Sequence, residues 1–190
     1  MKKRLFIAAT CLTATVSLMA QGGPTMGWSS WNTYGVNISD ALIRRQADAM
    51  VSKGLKDVGY NHINIDDGFF GGRNTETGEL IIHPTRFPNG LKPVADYIHS
   101  KGLKAGIYSD AGANTCGNMY NGDVLSVNVG LYNYDQHDAD FYFKECGFDF
   151  IKVDFCGGDA PQNTQHLALD PQKRYTAISN AIKATGRNDV

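Results

Sequence analysis

Apolar and polar positions alternate in four short stretches of the chain, and the clearest of them covers residues 148–156, between glycines. Because successive side chains of a strand point to opposite faces, this stretch predicts a buried strand with one apolar and one polar face. The apolar face carries Ile151, Val153 and Phe155, and the polar face carries Lys152 and Asp154. Taken alone, a lysine and an aspartate on one strand face are more often a structural ion pair than a catalytic pair.

Strand patterns recur along the chain, and a helical pattern follows each of them. The other strands are expected at residues 26–31, 60–67 and 103–110, and the helices at residues 39–52, 91–100, 135–146 and 171–184. Ser39 is placed to cap the first helix, and a glycine follows the end of every helix. Strands that alternate with helices predict a parallel sheet with right-handed crossovers.

Three successive strands carry polar side chains on one face near their carboxyl ends. These side chains are His62, Asn64 and Asp66, then Tyr108 and Asp110, then Lys152 and Asp154. A β/α barrel keeps its chemistry at this rim, whereas an open sheet covered by helices on both faces has more continuously apolar strands. No G-x-G-x-x-G motif follows a strand, which weakens the nucleotide-binding type of open sheet. We therefore predict an α/β fold of the (β/α)8 TIM barrel type.

The length of the chain is short for a complete barrel. A closed (β/α)8 barrel has eight strands and typically about 250 residues, but this chain has 190 residues and four predicted β/α units. We expect residues 21–190 to supply about the first four units, truncated before barrel closure. Such a piece standing alone would expose the edges of parallel strands, which favours aggregation.

The first 20 residues have the pattern of a secretory signal peptide. A basic stretch, Lys2 to Arg4, precedes a run of about 16 mostly apolar residues, which is short for a bilayer span. We expect cleavage after Ala20, export to the periplasm or the medium, and no membrane span in the mature chain. The net charge of −1, without basic or acidic runs, gives no reason to expect nucleic acid or a membrane surface as a partner.

The predicted rim combines aromatic rings with carboxylates, since Trp28 or Trp31 lies near it. This combination suits a carbohydrate, whose C–H face stacks on a ring while its hydroxyl groups donate to carboxylate oxygens. Glycoside cleavage needs two carboxyl groups in different protonation states. Because a neighbouring ammonium favours the ionised form of a carboxyl group, Asp154 beside Lys152 fits a nucleophile better than an acid.

Five motifs that follow one another in register carry a resemblance to a known family. They are Met26-Gly27-Trp28-x-x-Trp31, Ile65-Asp66-Asp67-Gly68, His83-Pro84-Thr85-Arg86-Phe87-Pro88-Asn89-Gly90, the run of residues 100–110, and Lys152-Val153-Asp154-Phe155-Cys156. Over residues 25–186 the series resembles the N-terminal half of glycoside hydrolase family 27, the α-galactosidase and α-N-acetylgalactosaminidase family. The resemblance implies a (β/α)8 barrel and a retaining double displacement on a terminal α-D-galactosyl residue, without a cofactor or a metal.

The same resemblance implies roles for individual residues. Asp154 would be the nucleophile, and a disulfide would join Cys116 to Cys156, which leaves Cys146 unpaired. The substrate-binding pocket would be formed by Trp31, Asp66, Asp67, Tyr108 and Lys152. The acid/base carboxylate of the family comes from a later strand, so the resemblance assigns that role to no residue of this chain.

Other interpretations stay open at this point. Within the fold, the activity could be that of an α-N-acetylgalactosaminidase, a β-L-arabinopyranosidase or an isomalto-type glucan hydrolase. Outside it, the chain could be a truncated, non-catalytic sugar-binding remnant, or a metal-dependent barrel enzyme with oxygen ligands from Asp66, Asp67, Asp110 and Asp154.

Three smaller questions concern single positions. Asp110 could serve the site or close an Asx-turn. The 117–134 loop could shape the leaving-group side of a sugar site or be a solvated insertion. His62 is more simply a core histidine than a catalytic one, and the histidine spacing does not match a transition-metal motif.

Overall fold

The computed structural model describes residues 24–159 and 165–190. The predicted signal peptide, residues 1–20, lies outside the described residues. The strands of the described part are β1 (Gly27–Ser29), β2 (His62–Asn64), β3 (Phe70–Arg73), β4 (Leu80–Ile82), β5 (Lys104–Asp110) and β6 (Phe150–Asp154). The α-helices are α1 (Trp31–Tyr34), α2 (Asp40–Ser52), α3 (Lys92–Ser100), α4 (Cys116–Asn121), α5 (Asp135–Ala139) and α6 (Pro171–Ala184).

A parallel sheet with the strand order β1-β2-β5-β6 forms the centre of the fold. Its register places Ser29 beside Asn64 and Asp110 beside Asp154, so the carboxyl ends of the strands lie along one edge. A right-handed crossover with a helix is the usual connection between parallel strands. The structure therefore confirms the predicted parallel sheet, whose strands alternate with helices along the chain.

The helices begin where the sequence provides caps. The Ser39 hydroxyl accepts a hydrogen bond from Leu42 N–H, 3.3 Å away, at the start of α2. At α6 the Asp170 carboxylate accepts from Lys173 N–H at 3.1 Å, and Pro171 occupies the first turn. Both arrangements satisfy N–H groups that have no partner inside the helix.

The apolar core lies between the sheet and its helices. Side chains on one face of β2 and β5 are fully buried there, including Ile63, Ala105 and Ile107. Val94 and Ile98 of α3 pack into the same cluster. The helix side of the sheet thus takes up the apolar residues of each strand, and the opposite face is left for the polar ones.

The structure differs from the sequence-based prediction in several elements. β1 ends at Ser29, because α1 begins at Trp31, and β2 covers only His62–Asn64 rather than residues 60–67. The antiparallel hairpin of β3 and β4 was not predicted. The helix expected at residues 135–146 starts as α5 and continues as a π-helix over Asp140–Glu145.

The 117–134 segment is partly helical rather than a plain loop, since it contains most of α4 and a 3₁₀ turn at Val124–Ser126. Within the described ranges, every helix is too short or too polar to cross a bilayer.

Candidate active site

The polar faces of the strands meet at the carboxyl-terminal edge of the sheet. Lys152 lies between two carboxylates, with its Nζ 3.0 Å from Asp66 Oδ2 and 3.3 Å from Asp154 Oδ2. One ammonium therefore bridges the end of β6 and the segment after β2. Both carboxylates therefore contact the same ammonium group.

Asp66 is the buried member of this group. Its Oδ2 accepts a hydrogen bond from the Ser29 hydroxyl at 2.9 Å, and its own N–H donates to the Ser30 hydroxyl at 3.0 Å. Burial lowers the pKa of Lys152, but the charges of Asp66 and Asp154 outweigh it, so the pKa is raised and Lys152 stays cationic. A paired, hydrogen-bonded carboxylate is the form in which a buried charge is tolerated.

Asp67 holds the backbone of the following loops. Its Oδ1 accepts from Gly68 N–H at 2.7 Å and its Oδ2 from Gly117 N–H at 2.6 Å. Burial raises the pKa of Asp67 to about 6, although hydrogen bonds from Thr115, Gly117 and Gly68 lower it. A Cβ at Gly117 would lie 2.9 Å from Asp67 Oδ2, so this approach requires glycine.

Tyr108 lies beneath Lys152, and its side chain is fully buried. Lys152 Nζ is 5.0 Å from the centre of its ring, within the range of a cation–π contact. The Tyr108 hydroxyl accepts a hydrogen bond from Cys116 N–H at 3.2 Å. Burial raises the pKa of Tyr108 well above its usual value, so the phenol stays neutral.

An open pocket of about 350 Å³ borders Asp154. It is lined by Trp31, Cys116, Tyr120, Asp154, Phe155, Cys156 and Asp159. The Asp154 side chain is 34% exposed and opens into it. Of the two tryptophans considered, Trp31 shares the pocket with Asp154, whereas Trp28 packs against Tyr34 with ring centroids 6.2 Å apart.

A disulfide joins Cys116 to Cys156 across the pocket wall, with a Cα–Cα distance of 5.2 Å. Cys116 Sγ lies 3.4 Å from Asp154 Oδ2, so the bridge directly borders the carboxylate. Cys146 is unpaired and buried, and burial raises the pKa of its thiol to about 12. It therefore behaves as a small core residue.

Asp110 faces the backbone rather than the pocket. Its Oδ1 accepts from Gly112 N–H at 2.7 Å, which closes an Asx-turn, and from Gly157 N–H at 3.0 Å. Its Oδ2 accepts from Cys156 N–H at 2.6 Å. Both oxygens are thus committed to joining the segments after β5 and β6, which decides the open question about Asp110 in favour of a structural role.

Sequence reasoning missed several residues that shape the site. Ser29 and Ser30 hold Asp66 in place, and Gly117 admits the backbone to Asp67. The serines stand between the two tryptophans of the first motif, so their position next to the rim was available as a signal. No comparable signal marks Gly117, because its partner is 50 residues away.

The donor set argues against the metal-site hypothesis. The oxygens of Asp67 and Asp110 are taken by backbone N–H groups, and Asp66 is paired with a cationic lysine. A cluster of possible ligands at Asp110 includes Cys116 and Cys156, but their sulfur atoms form the disulfide. His62 is half-buried rather than part of the core, and its Nδ1 lies 2.6 Å from Asn61 Oδ1.

Comparison with known proteins identifies the family. Residues 23–190 match the family described as "Alpha galactosidase A". The chain belongs to this family. A relative in the alpha galactosidase A family is the probable alpha-galactosidase of Dictyostelium discoideum, which is 45% identical over 98% of this chain and 44% of its own length.

Solved structures of alpha-galactosidases superpose on this chain. Alpha-galactosidase I from Mortierella vinacea superposes with a TM-score of 0.72 at 40% identity, over 86% of this chain and 38% of that protein. The Saccharomyces cerevisiae alpha-galactosidase solved with raffinose gives a TM-score of 0.70 at 34% identity, over 86% and 33%. These enzymes are TIM barrels, so the predicted fold class is confirmed. This chain spans a third to less than half of the length of these relatives.

Proposed function

We propose that the protein containing this chain is a retaining glycoside hydrolase that cleaves terminal α-D-galactosyl residues, with Asp154 as the nucleophile. The observation that carries the proposal is the Lys152 ammonium between Asp66 and Asp154, of which Asp154 lines an open pocket. Lys152 thus places a positive charge beside a carboxylate that opens into the space where a sugar would bind. Family membership supports the same reaction.

The reaction would proceed in two displacements. Asp154 attacks the anomeric carbon, the bond from that carbon to the leaving oxygen breaks, and an acid/base carboxyl group protonates the leaving oxygen. Water then attacks the same carbon, gives its proton to the acid/base group, and releases Asp154 and galactose. We assign the acid/base role to no residue of this chain. Asp154 and Lys152 supply the nucleophile and its electrostatic partner.

The bound galactosyl group would be held by the residues around Asp154. We propose that Lys152 and Asp66 hydrogen-bond its hydroxyl groups, and that Trp31 covers its apolar C–H face. Asp67 would accept from a hydroxyl group through a lone pair that its backbone N–H contacts leave over. Lys152 Nζ lies 5.9 Å from the centre of the Trp31 ring, so a polar and an aromatic wall meet at the same place. Tyr108 would line the floor and support Lys152 from below.

The substrate class is supported by the relatives. The printed names of the similar proteins are those of alpha-galactosidases, and one yeast enzyme was solved with raffinose. We propose an α-galactoside oligosaccharide or polysaccharide side chain as the substrate. The first 20 residues support export as the location, and the remaining chain gives no reason for a nucleic-acid partner.

The nucleophile assignment is tested by replacing Asp154 in the full gene product. Asp154→Asn and Asp154→Gly should each lower the turnover of an aryl α-galactoside by roughly 10³-fold or more, because the attacking oxygen is lost. Asp96→Asn, at an exposed ion pair with Lys92, is the matched control and should keep full activity. NMR of the first-formed sugar should show the α-anomer. Full turnover by either Asp154 variant, or a β-anomer as the first product, would contradict the proposal.

An alternative function is sugar binding without hydrolysis. The contacts proposed for Lys152, Asp66 and Trp31 would serve sugar binding alone as well as hydrolysis, so turnover separates the two functions. Saturable galactose binding in a calorimeter, combined with no turnover by the unmodified protein, would replace the hydrolase by a sugar-binding protein.

A further inference from the structure

We propose that Tyr120 is the platform for the sugar on the leaving-group side of the scissile bond. The inference rests on the function proposed above and specifies which part of the substrate this wall of the pocket recognises. It also gives the 117–134 segment a role in substrate choice, because Tyr120 lies on α4 within that segment.

The position of Tyr120 is the first observation. Its ring meets that of Trp31 edge to face, with the centroids 6.5 Å apart and the planes at 67°. Both rings line the pocket that contains Asp154. In this chain Tyr120 is 66% exposed.

The gradient of exposure gives the direction in which a substrate would lie. Asp66, Asp67 and Tyr108 are fully buried, Asp154 is about one third exposed, and Tyr120 is mostly exposed. The terminal sugar would find the hydrogen-bonding groups for its hydroxyls on the buried side of Asp154. The rest of the oligosaccharide would then extend past Asp154 towards Tyr120, since both line the same pocket.

The chemistry of the ring suits that neighbour. A pyranose presents apolar C–H groups on its faces, and an aromatic ring offers a large, rigid apolar surface with little conformational entropy to lose. The helix that carries Tyr120 is anchored at its start by the disulfide of Cys116 and by the hydrogen bond from Gly117 N–H to Asp67. Tyr120 is thus tied to the same framework as Asp154.

The test compares two substrates that share the galactosyl group but differ in what leaves. α-Galactosyl fluoride has no leaving-group sugar, whereas raffinose carries two further sugar units. In the full gene product, Tyr120→Ala should lower kcat/KM for raffinose about tenfold, the size expected for the loss of roughly 60 Å² of apolar contact. The same variant should leave kcat/KM for α-galactosyl fluoride unchanged.

Two further variants serve as matched controls. Tyr120→Phe keeps the ring and should hydrolyse both substrates like the unmodified protein. Val124→Ala changes another exposed residue of the same segment, 78% exposed and outside the pocket lining, and should also have no effect.

Each outcome has a definite meaning. An equal loss on both substrates would place Tyr120 in the galactose subsite or in the fold, and no loss on raffinose would remove it from recognition; either result overturns the proposal. If the unmodified protein hydrolyses neither substrate, the proposed function is wrong and the role of Tyr120 falls with it. A selective loss on raffinose in Tyr120→Ala alone supports the proposal.

Discussion

At the scale of single residues, the site consists of aspartates that share a chemical group but differ in what surrounds them. Asp154 opens into the pocket, Asp66 pairs with Lys152, and Asp67 and Asp110 hold backbone N–H groups. The strand periodicity predicted that Asp66, Lys152 and Asp154 would meet, because parallel strands end at one edge. The Asx-turn of Asp110 was one of the two predicted alternatives. The remote partners of Asp67 and Asp110 could not be predicted, since they depend on how loops distant in sequence meet.

The buried carboxyl group of Asp110 gives a prediction about pH. Burial raises its pKa to about 6, although the N–H groups of Gly112, Gly157 and Cys156 lower it. A folded-state pKa above the unfolded value of 3.8 means that folding takes up a proton between about pH 4 and pH 6. The contribution of Asp110 to the free energy of unfolding is therefore largest below pH 4 and declines as the pH rises towards 6.

The measurement is the free energy of unfolding of the unmodified protein and of Asp110→Asn between pH 4 and pH 7. Asparagine does not titrate, so the unmodified protein should lose up to roughly 3 kcal/mol relative to the variant as the pH rises through this window. The variant also weakens the contact with Cys156 N–H. This changes the difference in free energy of unfolding by the same amount at every pH, so the pH dependence of that difference is not affected. Asp96→Asn, at an exposed carboxylate, controls for removing one negative charge. A difference that does not vary with pH would refute the raised pKa.

At the scale of elements, the sequence predicted the strands and helices whose apolar and polar residues alternate regularly, and it missed the elements without a regular pattern. The β3–β4 hairpin escaped prediction because β3 contains Gly71 and Gly72, which have no side chains to show alternation. Gly72 also has a φ of 112°, in the region that favours glycine. The hairpin is held instead by a residue whose partners are remote, Arg73.

Arg73 fixes the hairpin to α5 and to the segment that precedes it. Its guanidinium makes two hydrogen bonds with the buried carboxylate of Asp138, at 2.8 and 2.6 Å. It also donates to the carbonyl oxygens of Gly78, Asn128, Val129 and Gly130. Burial raises the pKa of Asp138, although Arg73 lowers it. The pair is almost completely shielded from solvent, so neither charge can be rehydrated without opening this contact.

Removing Arg73 should therefore be costly. We expect Arg73→Met to lower the free energy of unfolding by about 3–5 kcal/mol, because it leaves the Asp138 carboxylate buried without its cation. The exposed Lys92–Asp96 pair provides the control, since Lys92→Met should cost about 1 kcal/mol or less. The double variant Arg73→Met, Asp138→Leu should recover part of the loss, because the unpaired charge is gone. Equal costs for Arg73→Met and Lys92→Met in chemical denaturation would contradict this account.

At the scale of the whole molecule, polar contacts join the β/α units at both ends of the sheet. At the carboxyl end, the disulfide and Asp110 connect the segments that follow β5 and β6. At the amino end, the Asp149 carboxylate accepts from Ala105 N–H at 2.9 Å and lies 2.8 Å from His99 Nε2. The order of the units was predictable from the chain, but these ties were not, except for the disulfide, which the family resemblance implied.

The disulfide is the covalent member of this set, and its removal tests how far the rim depends on it. Cys116 and Cys156 are 40 residues apart, and a bridge closing a loop of that length stabilises by roughly 4 kcal/mol on an entropic estimate. The double variant Cys116→Ser, Cys156→Ser should lose about this much free energy of unfolding, and a reducing agent should have the same effect on the unmodified protein. Cys146→Ser controls for thiol chemistry, because Cys146 is buried and unpaired.

The backbone N–H groups of the two bridged cysteines hold Tyr108 and Asp110, so a loosened bridge should also lower kcat/KM at temperatures where the protein stays folded. Unchanged stability and activity in the double variant would mean that the hydrogen bonds of Asp110 and Tyr108 hold the rim without the covalent link.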